Sequence, residues 1–404
     1  MDIKPILSTL GRHRVAAALI VLEIALACAV LCHAFFLVGN RLALMRMDSG
    51  VQENALGMLA VDGCDGCNNA ELNARVLDAV RAIPGVRGAG TVNTVPFGQR
   101  AGYMGTSLDP EQKHWGGVLH FYLLDAASIQ VMGLQPVQGK AFADSDFQPI
   151  SNFVPDDASV WITRALAEHL WPGENPLGKE LWSIGHFRVA GVVDNFAVPD
   201  PGRSEQGVAG VQWSVIVPVR NDAQAGRYVL SADPLDLPRV MQAARQAVIR
   251  AVPEAVLDQA QSRGVAELRE GYFRSDRAMA WLLVAVIAAM LLVTALGIIG
   301  LASFWVQQRS KQIGIRRALG ATRRQIVHYF QTENLLLSVA GIVLGMLLAY
   351  GGNQLLMRFF ETDRLPLPYL PLGALALVLI GQLAVLGPAL RAAAVPPIVA
   401  TRST

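Results

Sequence analysis

The chain predicts an α-helical membrane protein with four transmembrane helices and a large α+β domain of two lobes outside the membrane. Three observations carry that prediction. Of 404 residues, 52% are hydrophobic and 16% charged, a charged share well below the roughly 25% of soluble proteins. Four apolar segments, residues 15–38, 278–306, 334–356 and 370–390, each reach the about 17 to 25 residues that a helix needs to cross the hydrocarbon core. Residues 39–277 instead alternate short mixed patterns with Pro, Gly and polar turns, as a folded domain does. A net charge of +2 gives no case for nucleic acid, because the basic residues gather at membrane boundaries and not in an aromatic-lined groove.

The first span follows Lys4, Arg12 and Arg14, the flank of an uncleaved signal anchor with residues 1–14 inside. Its apolar run is longer than an ordinary signal-peptide core, and no small-residue cleavage site follows Phe36. Four spans then return the tail, 391–404, to the same side. The segment 307–333 carries Arg309, Lys311, Arg316, Arg317, Arg323 and Arg324, with no acid as far as Tyr329. The other short loop, 357–369, sets Arg358 and Arg364 against Glu361 and Asp363. The positive-inside rule makes the first loop cytoplasmic and leaves 39–277 outside.

Within 39–277, strands are expected at 56–61, 86–92, 117–123, 159–162, 187–193, 211–219 and 227–232. Helices are expected at 163–170, at 237–251, and from a cap at Asn69 through Ala82. Trp171-Pro172-Gly173-Glu174-Asn175-Pro176 reads as a surface turn from helix to strand. A helix restarting at Val265 is expected to run through Tyr272 and Arg277 unbroken into the second span, forming a stalk.

Little in the chain resembles a catalytic centre. Cys64 and Cys67 are close enough for a local disulfide, which an oxidising compartment favours, with free thiols and redox or metal chemistry as the alternatives. Cys28 and Cys32 read as small packing residues of the first span. Gly133 to Ala141 imitates a phosphate loop, but its glycines are one residue too far apart and Ala141 replaces the magnesium-binding hydroxyl. With no hydrolase constellation either, no cofactor or metal is expected in this chain.

Gly341, Gly345 and Ala349 place small residues on one face of the third span, suited to close packing within the chain or to dimerisation. Ala25, Ala29, Gly381 and Ala384 offer complementary smooth faces. Glu23, buried within the first span, must face protein or be protonated, and Gln382 is its expected hydrogen-bond partner.

One span, a large outer domain and three further spans enclosing Gln312-Ile313-Gly314-Ile315-Arg316-Arg317-Ala318-Leu319-Gly320-Ala321 resemble the FtsX-like permeases of the MacB type. Leu296 to Gly300, Trp161 to Lys179, Phe187 to Val193 and Pro388 to Thr401 resemble further family segments. The resemblance implies a permease subunit of an ABC transporter in the bacterial inner membrane. ATP and magnesium are then bound by a separate cytoplasmic ATPase in two copies, for which 312–321 is the coupling helix. A second permease subunit, identical or not, completes the dimer, and a periplasmic adaptor is a further expected partner. Ile313 and Leu319, with small Gly314, Ala318 and Gly320, are expected to seat in an apolar groove while Arg316 and Arg317 meet acids or phospholipid. The family usually has Glu where this chain has Gln312. Mechanotransmission that exports a peptide, toxin or antibiotic is the implied function; lipoprotein handling and regulation of cell-wall hydrolases are the alternatives.

Overall fold

The computed structural model describes residues 14–63, 67–204, 206–360 and 366–394. Cys64, residues 1–13, residues 361–365 and those from 395 onward therefore lie outside the described residues. The chain divides into a membrane unit, built from its two ends as far as Leu42 and from Asp276 onward, and a globular unit, Ala43–Ser275.

The first described helix is α1 (Arg14–Met45). There follow β1 (Leu56–Asp62), α2 (Asn69–Arg81), β2 (Val86–Thr91), β3 (Tyr103–Ser107), β4 (Trp115–Leu124), α3 (Ala126–Met132), β5 (Gln138–Gly139) and β6 (Asp157–Thr163). Next come α4 (Arg164–Leu170), β7 (Glu180–Trp182), β8 (His186–Val193), β9 (Ser214–Pro218), β10 (Arg227–Ala232), α5 (Leu237–Ala251), β11 (Val256–Leu257) and α6 (Val265–Tyr272). β3, α3, β5, β7 and β11 were not among the expected elements, and α2 is capped one residue earlier than expected. Asn68 Oδ1 accepts from the amides of Ala70 and Glu71 at 2.9 and 3.3 Å, satisfying donors that the first helical turn leaves free.

Two sheets account for the two lobes. One is antiparallel, in the order β11-β1-β10-β2. The other is mixed, in the order β5-β8-β6-β9-β4-β3-β7, and β7 pairs also with β8, so this sheet closes on itself. The period of two along each strand builds the cores. Leu56, Met58 and Ala60 of β1 join Tyr122, Trp161 and Ile216 from the second sheet in one core. Leu59 and Val61 face the other way, onto Val76 and Val80 of α2 and Val240 and Ala244 of α5. Phe121, Val160, Phe187, Val215 and Val217 fill the core of the closed sheet.

Arg269 of α6 gathers the base of the globular unit. Its guanidinium is ion-paired with Glu53, donates to the carbonyls of Met45 and Met47 at 2.8 and 2.7 Å, and lies 5.1 Å over the Phe97 ring. The expected unbroken stalk is interrupted: α6 ends at Tyr272, and Phe273, whose ring packs edge-on against Phe97, separates it from the next helix.

The membrane unit continues with α7 (Arg274–Gln308), α8 (Ser310–Ala318), α9 (Arg323–Phe360) and α10 (Tyr369–Ala394). Together with α1, the helices α7, α9 and α10 are long and apolar enough to cross a membrane. Along α1, Leu19, Leu22, Leu26 and Val30 are exposed on one side, whereas Ile20, Ile24, Cys28 and Leu31 are buried on the other. That is the helical repeat of a span with one face on protein. Arg41 and Asp276 join α1 to α7 through an ion pair of 2.6 Å.

His120 of β4 is wholly buried between the rings of Tyr103 and Tyr122, at 5.0 and 4.1 Å. Burial disfavours the charged ring and pushes its pKa from 6.5 down to about 3. Above pH 6.5 both the folded and unfolded chains hold it neutral; as pH falls from there toward 3, only the unfolded chain gains the proton and stability declines. The thermal midpoint of the detergent-solubilised chain is therefore expected to drop between about pH 7.5 and about pH 5.5. His120→Phe is expected to flatten that drop, and an unchanged drop would remove His120 from the account.

Candidate functional site

Within 307–333, where a coupling helix was expected at 312–321, the structure has the short helix α8 followed by the first turns of α9. α7 ends at Gln308, Arg309 leaves helical geometry at φ −104° and ψ 11°, and α8 starts at once. Ser310 Oγ donates to the Gln307 carbonyl at 2.9 Å across the break. The far end of α8 is closed by Gly320 at φ +97°, a left-handed conformation that glycine adopts without a Cβ clash. The amides of Gly320 and Ala321 return to the carbonyls of Arg317 and Arg316 at 3.1 and 3.0 Å, the paired bonds of a Schellman ending. Directly afterwards, Thr322 Oγ1 accepts from the Gln325 amide at 3.3 Å and Gln325 Oε1 accepts from the Thr322 amide at 2.8 Å. This capping box starts α9. The Gly-Ala-Thr corner thus satisfies backbone groups on both of its sides.

Arg309 is buried, and Nη1 reaches both carboxylate oxygens of Glu333 in α9 at 2.8 and 2.9 Å. The basic segment therefore has an acid after all, just beyond Tyr329, and sequence reasoning passed over it. The available signal was a carboxylate at the start of an apolar span, where an unpaired charge is costly. Arg316 stacks on the Tyr329 ring at 4.9 Å, a second tie between α8 and α9.

The ten residues 312–321 do not present a single face. Ile313 and Gly314 are buried, and Ile313 belongs to the core of the spans. This corrects the expectation that both contribute to an outward docking surface. Ile315, Ala318, Leu319 and Gly320 are exposed, Leu319 to 84%. On a third side Gln312 and Arg316, with Ala321, Arg324, Gln325 and His328, line a groove of about 660 Å³. Arg317 is half-buried.

Gly341 and Gly345 face α1 of the same chain. A Cβ on Gly341 would stand 2.8 Å from Ile24 Cβ, and one on Gly345 would stand 2.6 Å from the Ala25 carbonyl oxygen. Ala349 is buried in the same bundle. Cys28 Sγ lies 3.8 Å from the Ile342 carbonyl and Cys32 Sγ 3.8 Å from that of Leu370, both as free cysteines. Cys67 is disulfide-bonded. Glu23 does not meet its expected partner: its carboxylate lies over Gly297 of α7, where a Cβ would stand 2.4 Å from Oε1, while Gln382 donates to the Gln331 carbonyl at 3.4 Å.

Spans packed on one another, a short helix turned between two of them and a two-sheet domain inserted after the first describe a multi-pass membrane protein. A model of the MacB-like periplasmic core domain matches residues 17–263, and one of the FtsX-like permease C-terminal domain matches residues 284–397. The chain belongs to the FtsX-like ABC transporter permeases with a MacB-like periplasmic core domain. It is 27% identical over 259 residues to the macrolide export ATP-binding/permease protein MacB of Bdellovibrio bacteriovorus, an alignment covering 59% of this chain and 38% of that protein. It is 26% identical over 277 residues to the ABC transporter permease YknZ of Bacillus subtilis, covering 68% of this chain and 67% of the relative. Over 141 residues it is 35% identical to the pyoverdine export ATP-binding/permease protein PvdT of Pseudomonas entomophila, covering 34% of this chain and 21% of that protein.

Truncating one member of a buried ion pair leaves the other charge unpaired, at about 3 to 5 kcal/mol. Glu333→Ala is expected to lower the thermal midpoint of the purified chain sharply, and Arg309→Met with Glu333→Leu to recover most of the loss. A double variant as unstable as the single one would show that the pair is not the source of the effect.

Proposed function

We propose that this chain is the membrane subunit of an inner-membrane ABC transporter, with both termini cytoplasmic and with ATP and magnesium held by a separate ATPase. Two ATPase copies serve two permease chains. The observation carrying the reading is the apolar yet exposed side of α8, Ile315, Ala318 and Leu319, on a short helix anchored between two spans. An exposed apolar helix side of this kind fits a groove on a partner, and the FtsX-like match covers it.

In this mechanism ATP-driven closure of the ATPases displaces α8. The Arg309–Glu333 pair and the Arg316–Tyr329 stack hand the displacement to α7 and α9, and the periplasmic domain changes its grip on a substrate already outside the membrane. Export of a peptide, toxin, antibiotic or similar molecule is the activity proposed, and relatives named for macrolide and pyoverdine export support it. Replacing Ile315 and Leu319 together by Glu is expected to abolish co-purification of the ATPase while the chain still inserts in the membrane. Full recovery of the ATPase would overturn the assignment of α8.

A further inference from the structure

We propose that the groove beside α8 holds the phosphate of an anionic phospholipid headgroup. Arg309, Arg316 and Arg324 line it together with His328 and the neutral amides of Gln312 and Gln325, and among the described residues no carboxylate lines it. Glu333 engages Arg309 through Nη1, which leaves Nη2 buried without a hydrogen-bond partner. Among the described residues, neither Arg316 nor Arg324 has an acidic partner.

A buried guanidinium N–H without an acceptor carries a desolvation penalty that a phosphate oxygen removes, and the planar fork of arginine suits that ligand. The groove also has an apolar side, formed by Ile313, Ile326 and Phe330, and all three belong to the core of the spans. A basic mouth over a wall continuous with the membrane core matches a lipid, whose phosphate and glycerol meet both, better than a free anion. Basic pockets between helices at the cytoplasmic surface are where anionic headgroups gather. Gln312 matters here because a carboxylate in its place would cancel one of the uncompensated charges. The inference rests on the cytoplasmic placement of α8 in the reading above, but it concerns a different side of that helix from the ATPase-docking one.

Native mass spectrometry of the detergent-purified full chain tests it, with phosphatidylglycerol and phosphatidylcholine added in turn and inorganic phosphate as competitor. Phosphatidylglycerol adducts are expected to outnumber those of phosphatidylcholine. Arg324→Gln and Gln312→Glu are each expected to weaken phosphatidylglycerol retention about fivefold, the effect of one charge near a lipid surface. Both positions are exposed, so thermal midpoints are expected to hold and to separate lost lipid from lost fold. Equal retention of the two lipids, or unaltered retention in both variants, overturns the proposal. Displacement by inorganic phosphate assigns the groove to a soluble anion instead, and displacement on adding the ATPase assigns it to a protein contact. The Ile315 and Leu319 variant tests the ATPase reading separately, since it leaves the groove residues untouched.

Discussion

The pairing of Arg309 with Glu333 is the constraint around which the membrane unit is arranged. Charges buried beside hydrocarbon persist only when matched, so Arg309, just past the end of α7, and Glu333, well inside α9, are held together through one Nη1–carboxylate contact. α8 has to fit in the space between. Ile313 and Gly314 turn inward for that reason, and the remaining sides of α8 become free for other partners. The same demand for close approach recurs where Gly341 and Gly345 admit α1.

The globular unit obeys a different rule. Its central strands are buried on both faces, so alternate residues of β1 serve two cores at once. A change on such a strand is felt on one side without disturbing the other. Within the globular unit, Arg269 of α6 ties that helix to the carbonyls of Met45 and Met47.

Much of this was legible in the sequence. The spans show in composition, and the longer strands and helices of the globular unit in periodicity. Elements that escaped notice are short or glycine-containing, like β5 and β3, or depend on pairing with a distant strand, like β11 with β1. The Glu333 partnership joins two helices through a contact that no local pattern encodes. Small residues at Gly341 and Gly345 announce close packing but not with which helix, because a smooth face accepts any partner. The expected unbroken stalk fails at Phe273, whose ring packs on Phe97, far away in sequence. By contrast, Thr322 and Gln325 formed a readable capping signal that went unused.

The Gly320–Thr322 corner has a consequence for the proposed coupling role of α8. A segment that must order itself on docking spends part of its binding energy on that ordering, and any slack in it absorbs displacement before passing it on. Here the Schellman ending on one side and the capping box on the other leave little to order. In the proposed coupling role, α8 would meet an ATPase as a finished part, and a small push at Leu319 would reach the spans with little loss.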